Sequence, residues 1–197
     1  MSRFPNDPRK LKERIKRYED DLHKEFKKFR YVSDDSGKRY MLGPMYLLLG
    51  DISGAIKSFE WFEKKFSDDS GEPFHLLCWA LALYRSNDRA TAAKKLRRAM
   101  LSNLYLLPYL VGIEQPPLEI WQSTNWEGKE YVEQGPAELL QLWDEQALRW
   151  AKELYQSESF REARERTIEI FRLLKTEPVG PKRSDLVKEL SALRYSG

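Results

Sequence analysis

An all-α fold is predicted by three observations. Apolar residues recur with a period close to 3.6, a pentapeptide repeats at the distance of a helical hairpin, and no stretch alternates with period two between hairpin turns. The fold expected is a short α-solenoid of tetratricopeptide-like helical hairpins, with a long N-terminal helix before it and a C-terminal helix after it. A chain of 197 residues is long enough for one domain that buries about 70% of its unfolded surface. Its 33% charged content and mean hydropathy of −0.68 argue against a membrane protein. No apolar run approaches the ~20 residues of a membrane span.

Along the chain, Leu11, Ile15, Tyr18, Leu22, Phe26 and Phe29 lie at gaps of 4, 3, 4, 4 and 3, one stripe of an amphipathic helix within residues 1–31. Asn6 or Asp7 can cap it, and Pro8 suits its first turn. The string SDDSG then occurs at 33–37 and again at 67–71, a separation of 34, each copy ahead of a new periodic run. Aligning the runs needs an offset of 37. Gly43 then falls on Ala80, Tyr46 on Leu83, Gly50 on Asn87, Ala55 on Ala92 and Phe59 on Leu96. Laying Tyr84, Ser86 and Ala92 on Tyr155, Ser157 and Ala163 gives a weaker third copy.

The expected helical pairs are therefore 39–49 with 53–66, 74–86 with 89–103, and 137–156 with 160–175. The first two fill 38–104 and the third fills 136–176. Residues 105–135, with Pro116-Pro117 and many aromatics, read as an ordered crossover with one helix near 127–134. Ser184 is expected to cap a last helix within 182–197 that carries Leu186, Leu190 and Leu193. All of this is expected to form one domain.

The stretch LGPMYLLLGDISGAIKSF at 42–59 has its small residues where paired helices would cross. It lacks the Gly-Lys-Ser/Thr ending of a phosphate-binding loop and follows no strand, so helix contact is the reading. Leu42, Gly43, Tyr46, Gly50, Ala55 and Phe59, with Ala80, Ala92 and Leu96 in the second pair, are the expected packing positions. Gly50 suits a left-handed helix end, and Asn87 accepts the same geometry. Pro44 removes one N–H early in its helix and is expected to bend or delay it. This pattern resembles the tetratricopeptide repeat. The run from Leu49 to Ser157, with NLYLLPYLVG at 103–112, Tyr131 and ALRWAKELY at 147–155, resembles a bacterial tetratricopeptide-like family related to suppressor of tumorigenicity 7. That resemblance implies a helical-repeat scaffold with no established activity, and it carries over no catalytic residue.

Candidate chemistry is sparse. His23 lies off the first stripe and is expected in solvent. His75 is expected as a cap or groove residue, and neither histidine has a second ligand at metal spacing. Neither SDDSG copy has the ligand spacing of an EF-hand, so capping is the reading. Cys78 is expected in the core, and a lone cysteine excludes an internal disulfide. Lys94, Lys95, Arg97 and Arg98 are expected on a solvated face. An enzyme would need carboxylates such as Glu60, Glu63 and Glu72 to converge. No cofactor, metal or catalytic group is expected.

What remains is binding. The expected function is a non-enzymatic scaffold that holds a protein or peptide, an apolar helix or loop, in a concave groove lined by Tyr40, Pro44, Leu47, Leu77, Leu81, Tyr84 and Arg85. Trp121 and Trp126 are accessory candidates. The groove's occupant can equally be internal, the first helix or the crossover. The alternative is an RNA- or ribosome-associated factor, because residues 9–30 hold ten Lys/Arg against five Asp/Glu. The sequence MSRFPNDPRK shows no apolar signal region, and a cytoplasmic protein without a membrane partner is expected.

Overall fold

The computed structural model describes residues 4–34 and 36–195. Residues 1–3, 35 and 196–197 lie outside it, and with them Asp35 of the first SDDSG string and the end of the last expected segment. All regular structure among the described residues is helical: α1 Pro8–Phe29, α2 Lys38–Leu48, α3 Ile52–Lys65, α4 Pro73–Arg85, α5 Arg89–Ser102, α6 Leu106–Leu110, α7 Lys129–Glu133, α8 Ala137–Leu140, α9 Glu145–Gln156, α10 Glu158–Thr176 and α11 Pro181–Tyr195. A single 3₁₀ turn covers Asn125–Glu127. No described helix is long and apolar enough to cross a membrane.

Two compact units divide the chain. One comprises Met1–Ala92 with Pro136–Trp143, the other Ala93–Gly135 with Asp144–Gly197. In the first unit, helix starts follow their side-chain caps. Asp7 accepts from the Arg9 N–H at 2.8 Å, with Pro8 at the first helical position of α1. Asp51 caps α3 through the Gly54 N–H, and Glu72 caps α4 through the Phe74 and His75 N–H groups.

Helices α1 and α3 both pack on α2, and α4 packs on α2 and α3. Where α2 crosses α3, a Cβ on Gly43 would overlap the ring of Phe59, so only glycine allows this approach. Phe59 in turn stacks on Trp79, centroids 5.4 Å apart, and the crossing is closed on both sides.

Pro44 neither delays α2 nor ends it. Lacking an N–H, it leaves the carbonyl of Tyr40, one turn earlier, without its helical donor. His75 of α4 takes that place, with Nδ1 3.2 Å from the Tyr40 oxygen. The contact assigns the proton to Nδ1. The imidazole sits wholly buried among Tyr40, Phe59, Phe62 and Trp79, as a core residue and neither a cap nor a groove residue.

The second unit has its core in Leu104, Ile170, Phe171, Leu174, Leu186 and Leu190. Asn103 is buried and uses both ends of its amide. Its oxygen accepts from the Tyr105 and Leu106 N–H groups, and its nitrogen donates to the Trp126 and Gly128 carbonyls. One side chain thus starts α6 and pins the crossover. Trp121 is held by its backbone N–H, which donates to the Phe171 carbonyl, and by its ring against Phe171.

Two boundaries differ from expectation. Residues 137–156 are not one helix, because Asp144 caps a new helix through the Ala147 N–H and α8 ends four residues earlier. The last helix starts at Pro181, which fills the first helical position, and not at a Ser184 cap.

A candidate apolar cleft between two helices

Helix α1 has 22 residues, whereas the α2 helix it lies on has 11. At 1.5 Å per residue, α2 spans only about half of the α1 stripe. Leu11, Ile15 and Leu22 are buried, but Phe26 is half-buried and Phe29 is 50% exposed. Helix α3 rises from α2 on the other side, so α1 and α3 become the two walls of a trough with α2 as its floor.

The trough has a volume of about 660 Å³. Leu22 and Phe26 line it from α1, Leu42 and Tyr46 from α2, Trp61 from α3, and Val32 closes one end. At the other end the Tyr46 hydroxyl donates to Glu19 at 2.6 Å, tying α2 to α1. Burial, then the Glu19 carboxylate, push that hydroxyl's pKa upward. Gly54 is what lets the Tyr46 ring lie this close to α3, since a Cβ there would come within 2.6 Å of it. Ser58 sits in the α3 wall, 9% exposed, and its Oγ has no hydrogen-bond partner among the described residues. The edges are charged. Glu19, Asp20 and His23 stand on α1, and Lys57 and Lys65 on α3, with the Lys65 ammonium 4.2 Å from the centroid of Phe26.

The groove expected from the sequence is a different set of residues, and it is not open. Leu77 and Leu81 have no exposed surface, Leu47 has 1%, and Pro44 and Tyr84 are buried with them. The reason is composition: Pro73 to Tyr84 of α4 is apolar all round, and such a helix belongs inside a protein. Tyr40 is half-buried, its hydroxyl committed to Asp69 at 2.5 Å. Arg85 is exposed and donates to the Leu142 carbonyl. Trp121 belongs to the core of its own unit, and Trp126 is half-buried with its carbonyl taken by Asn103.

Of the packing positions, Leu42, Gly43, Ala55, Phe59, Ala80, Ala92 and Leu96 are all buried. Gly50 is exposed and left-handed, φ +76°, with nothing within 4 Å of a would-be Cβ.

Of the basic run in α5, Lys94 alone is exposed as expected of a solvated face. Lys95 is buried and Arg97 and Arg98 are half-buried, the Arg98 guanidinium 4.6 Å from the centroid of Tyr195. His23 is exposed, as expected. Cys78 is fully buried, which raises its thiol pKa and keeps it protonated. Glu72 is occupied as a cap, while Glu60 and Glu63 stand exposed on α3. Among the described residues, no three His, Cys, Asp or Glu side chains are grouped to hold a metal ion.

One signal for the trough was present in the sequence. A stripe of six apolar positions over 19 residues cannot be covered by the run between Gly37 and Gly50. Searches of protein-family models, curated proteins and solved structures give no match to this chain.

Proposed function

We propose that this chain is a non-enzymatic helical-repeat scaffold that binds another protein, and that the α1–α3 trough is its binding site. The observation that carries the reading is the C-terminal end of the α1 stripe, where Phe26 is half-buried and Phe29 is 50% exposed. Phe26, Trp61 and Tyr46 stay half-exposed around a 660 Å³ depression that is apolar at its floor and charged at its edges. That is the composition of a protein-docking surface, with an apolar centre and a polar rim.

The tetratricopeptide-like reading is supported by the matched positions of the two hairpin turns. The Gly50 N–H donates to Leu47 O and the Asp51 N–H to Tyr46 O. Thirty-seven residues on, Asn87 donates to Tyr84 O and Asp88 to Leu83 O. The test is capture of partners from native extract by the wild-type chain and by Trp61→Glu, with half of each sample treated with nuclease. A protein retained after nuclease and lost with Trp61→Glu, while thermal unfolding is little changed, supports the reading. Loss with nuclease in both chains would replace it with nucleic-acid binding through α1.

A further inference from the structure

We infer that the trough accepts a short amphipathic helix of a partner protein, with basic residues along one flank of its apolar stripe and acidic residues along the other. The inference rests on the protein-binding reading above and adds the chemistry of the partner. Length comes first. The lining of α3 runs from Gly54 to Lys65, roughly 16 Å at 1.5 Å per residue, which matches about three helical turns.

Shape comes second. Glu19 and Tyr46 lie at the Gly54 end and Phe26 at the Lys65 end, so both walls run the same way along the trough. A trough of that form takes side chains at i, i+3, i+4 and i+7 from one helix face.

Charge decides the flanks. The α1 residues that line the trough include two carboxylates, Glu19 and Asp20, and no Lys or Arg. The α3 residues include Lys57 and Lys65 and no carboxylate. A helix lying between these edges meets carboxylates along one side and ammonium groups along the other. A carboxylate on the α3 side would draw Lys65 off the Phe26 ring and expose that ring to the apolar stripe.

The test uses the full chain, ¹⁵N-labelled, and three synthetic helical peptides with the same leucine stripe. The first has lysines on one flank and glutamates on the other, the second lysines on both, the third glutamates on both. A mixed-flank helix satisfies both edges in one of its two directions, whereas a uniform helix faces like charge at one edge whichever way it lies. The expected result is amide shifts confined to α1, α2 and α3, with the mixed peptide bound about fivefold tighter than either uniform one.

In the double variant Lys57→Glu/Lys65→Glu, whose sites are exposed, the all-lysine peptide should become the tightest. Equal binding of all three peptides in the trough would overturn the partner chemistry and leave the protein-binding reading standing. No peptide shifts up to millimolar concentration, with 1-anilinonaphthalene-8-sulfonate still perturbing Leu22, Phe26 and Trp61, would overturn both and indicate a small-molecule site.

Discussion

The two SDDSG strings have the same sequence, yet among the described residues different aspartates carry their bonds, and the two hairpin turns are different residues with the same bonds. In the first string, Asp34 caps α2 with both oxygens, accepting from the Lys38 N–H at 2.8 Å and the Arg39 N–H at 2.7 Å. In the second, Asp69 accepts from the Gly71 N–H with one oxygen and holds Arg39 and the Tyr40 hydroxyl with the other. The residues after each string make the difference. Glu72-Pro73 comes after the second copy, and a proline at the first helical position moves the cap forward to Glu72. Asp69, the second aspartate of its string where Asp34 is the first of its own, reaches the helix that the first copy starts. The turns are the converse case. Backbone geometry asks for a left-handed residue, and Gly50 at φ +76° and Asn87 at φ +70° both supply it.

The equivalence between hairpins should break hardest at the helix crossing. Gly43 and Ala80 occupy matched positions, and Gly43 lies under the ring of Phe59, whose matched residue in the second pair is Leu96. Phe59 is pressed from its far side by Trp79 and cannot retreat. Gly43→Ala is expected to lose about 3 kcal/mol in denaturant unfolding, whereas Ala80→Gly should lose about 1 kcal/mol. Equal losses would mean that the crossing is loose.

The two strings should separate next. Asp34→Ala removes a two-bond cap and the carboxylate 3.5 Å from the Arg39 guanidinium, at a site 5% exposed, and about 2 kcal/mol should be lost. Asp34→Asn keeps an acceptor and should recover about half. Asp69→Ala leaves every helix cap in place and should cost about 1 kcal/mol. Should Asp69→Ala prove the more damaging, the Arg39 bridge would outweigh the cap.

These contrasts mark what the sequence could reveal. The start of α1 was legible, because Asp7 and Pro8 stand directly ahead of a periodic run, whereas the caps of α3 and α4, Asp51 and Glu72, were not singled out. The small-residue crossing was legible from Gly43 and Phe59 alone. The groove was misread, since Leu77 and Leu81 look like one face of a helix until the other faces of α4 are counted and prove equally apolar. Lys95 was misread in the same way, a charge placed in solvent by its type and in fact buried. The trough was missed because it belongs to no single element. It arises where a 22-residue stripe meets an 11-residue floor, and local periodicity carries no such length comparison.

A smaller effect distinguishes the two turns. Gly50 has open space where a Cβ would go, so the cost of Gly50→Ala is conformational, about 1 kcal/mol for a side chain held left-handed. Asn87→Gly relieves the same strain and should stabilise by a few tenths of a kcal/mol, net of the entropy glycine brings to the unfolded chain. Unfolding midpoints that move in opposite directions would establish that the two turns share one backbone requirement.

The smallest effect lies one residue further on, in the cap after the second turn. Asp88 accepts from the Thr91 N–H at 3.1 Å, and that backbone bond lowers its carboxyl pKa below the ordinary 3.8. The N-terminal end of α5 favours the same charge. A depressed carboxylate contributes stability that is complete above the unfolded value and is lost as pH falls through the folded one. The window therefore opens below pH 3.8 and leaves neutral solution untouched. Asp88→Asn keeps a capping oxygen that does not titrate, so its acid unfolding should be shallower than wild type in that window and parallel above it. A ¹³C carboxyl titration of Asp88 with its midpoint at or above 3.8, or identical acid slopes in the two chains, would show that the second turn is held by its backbone bonds alone.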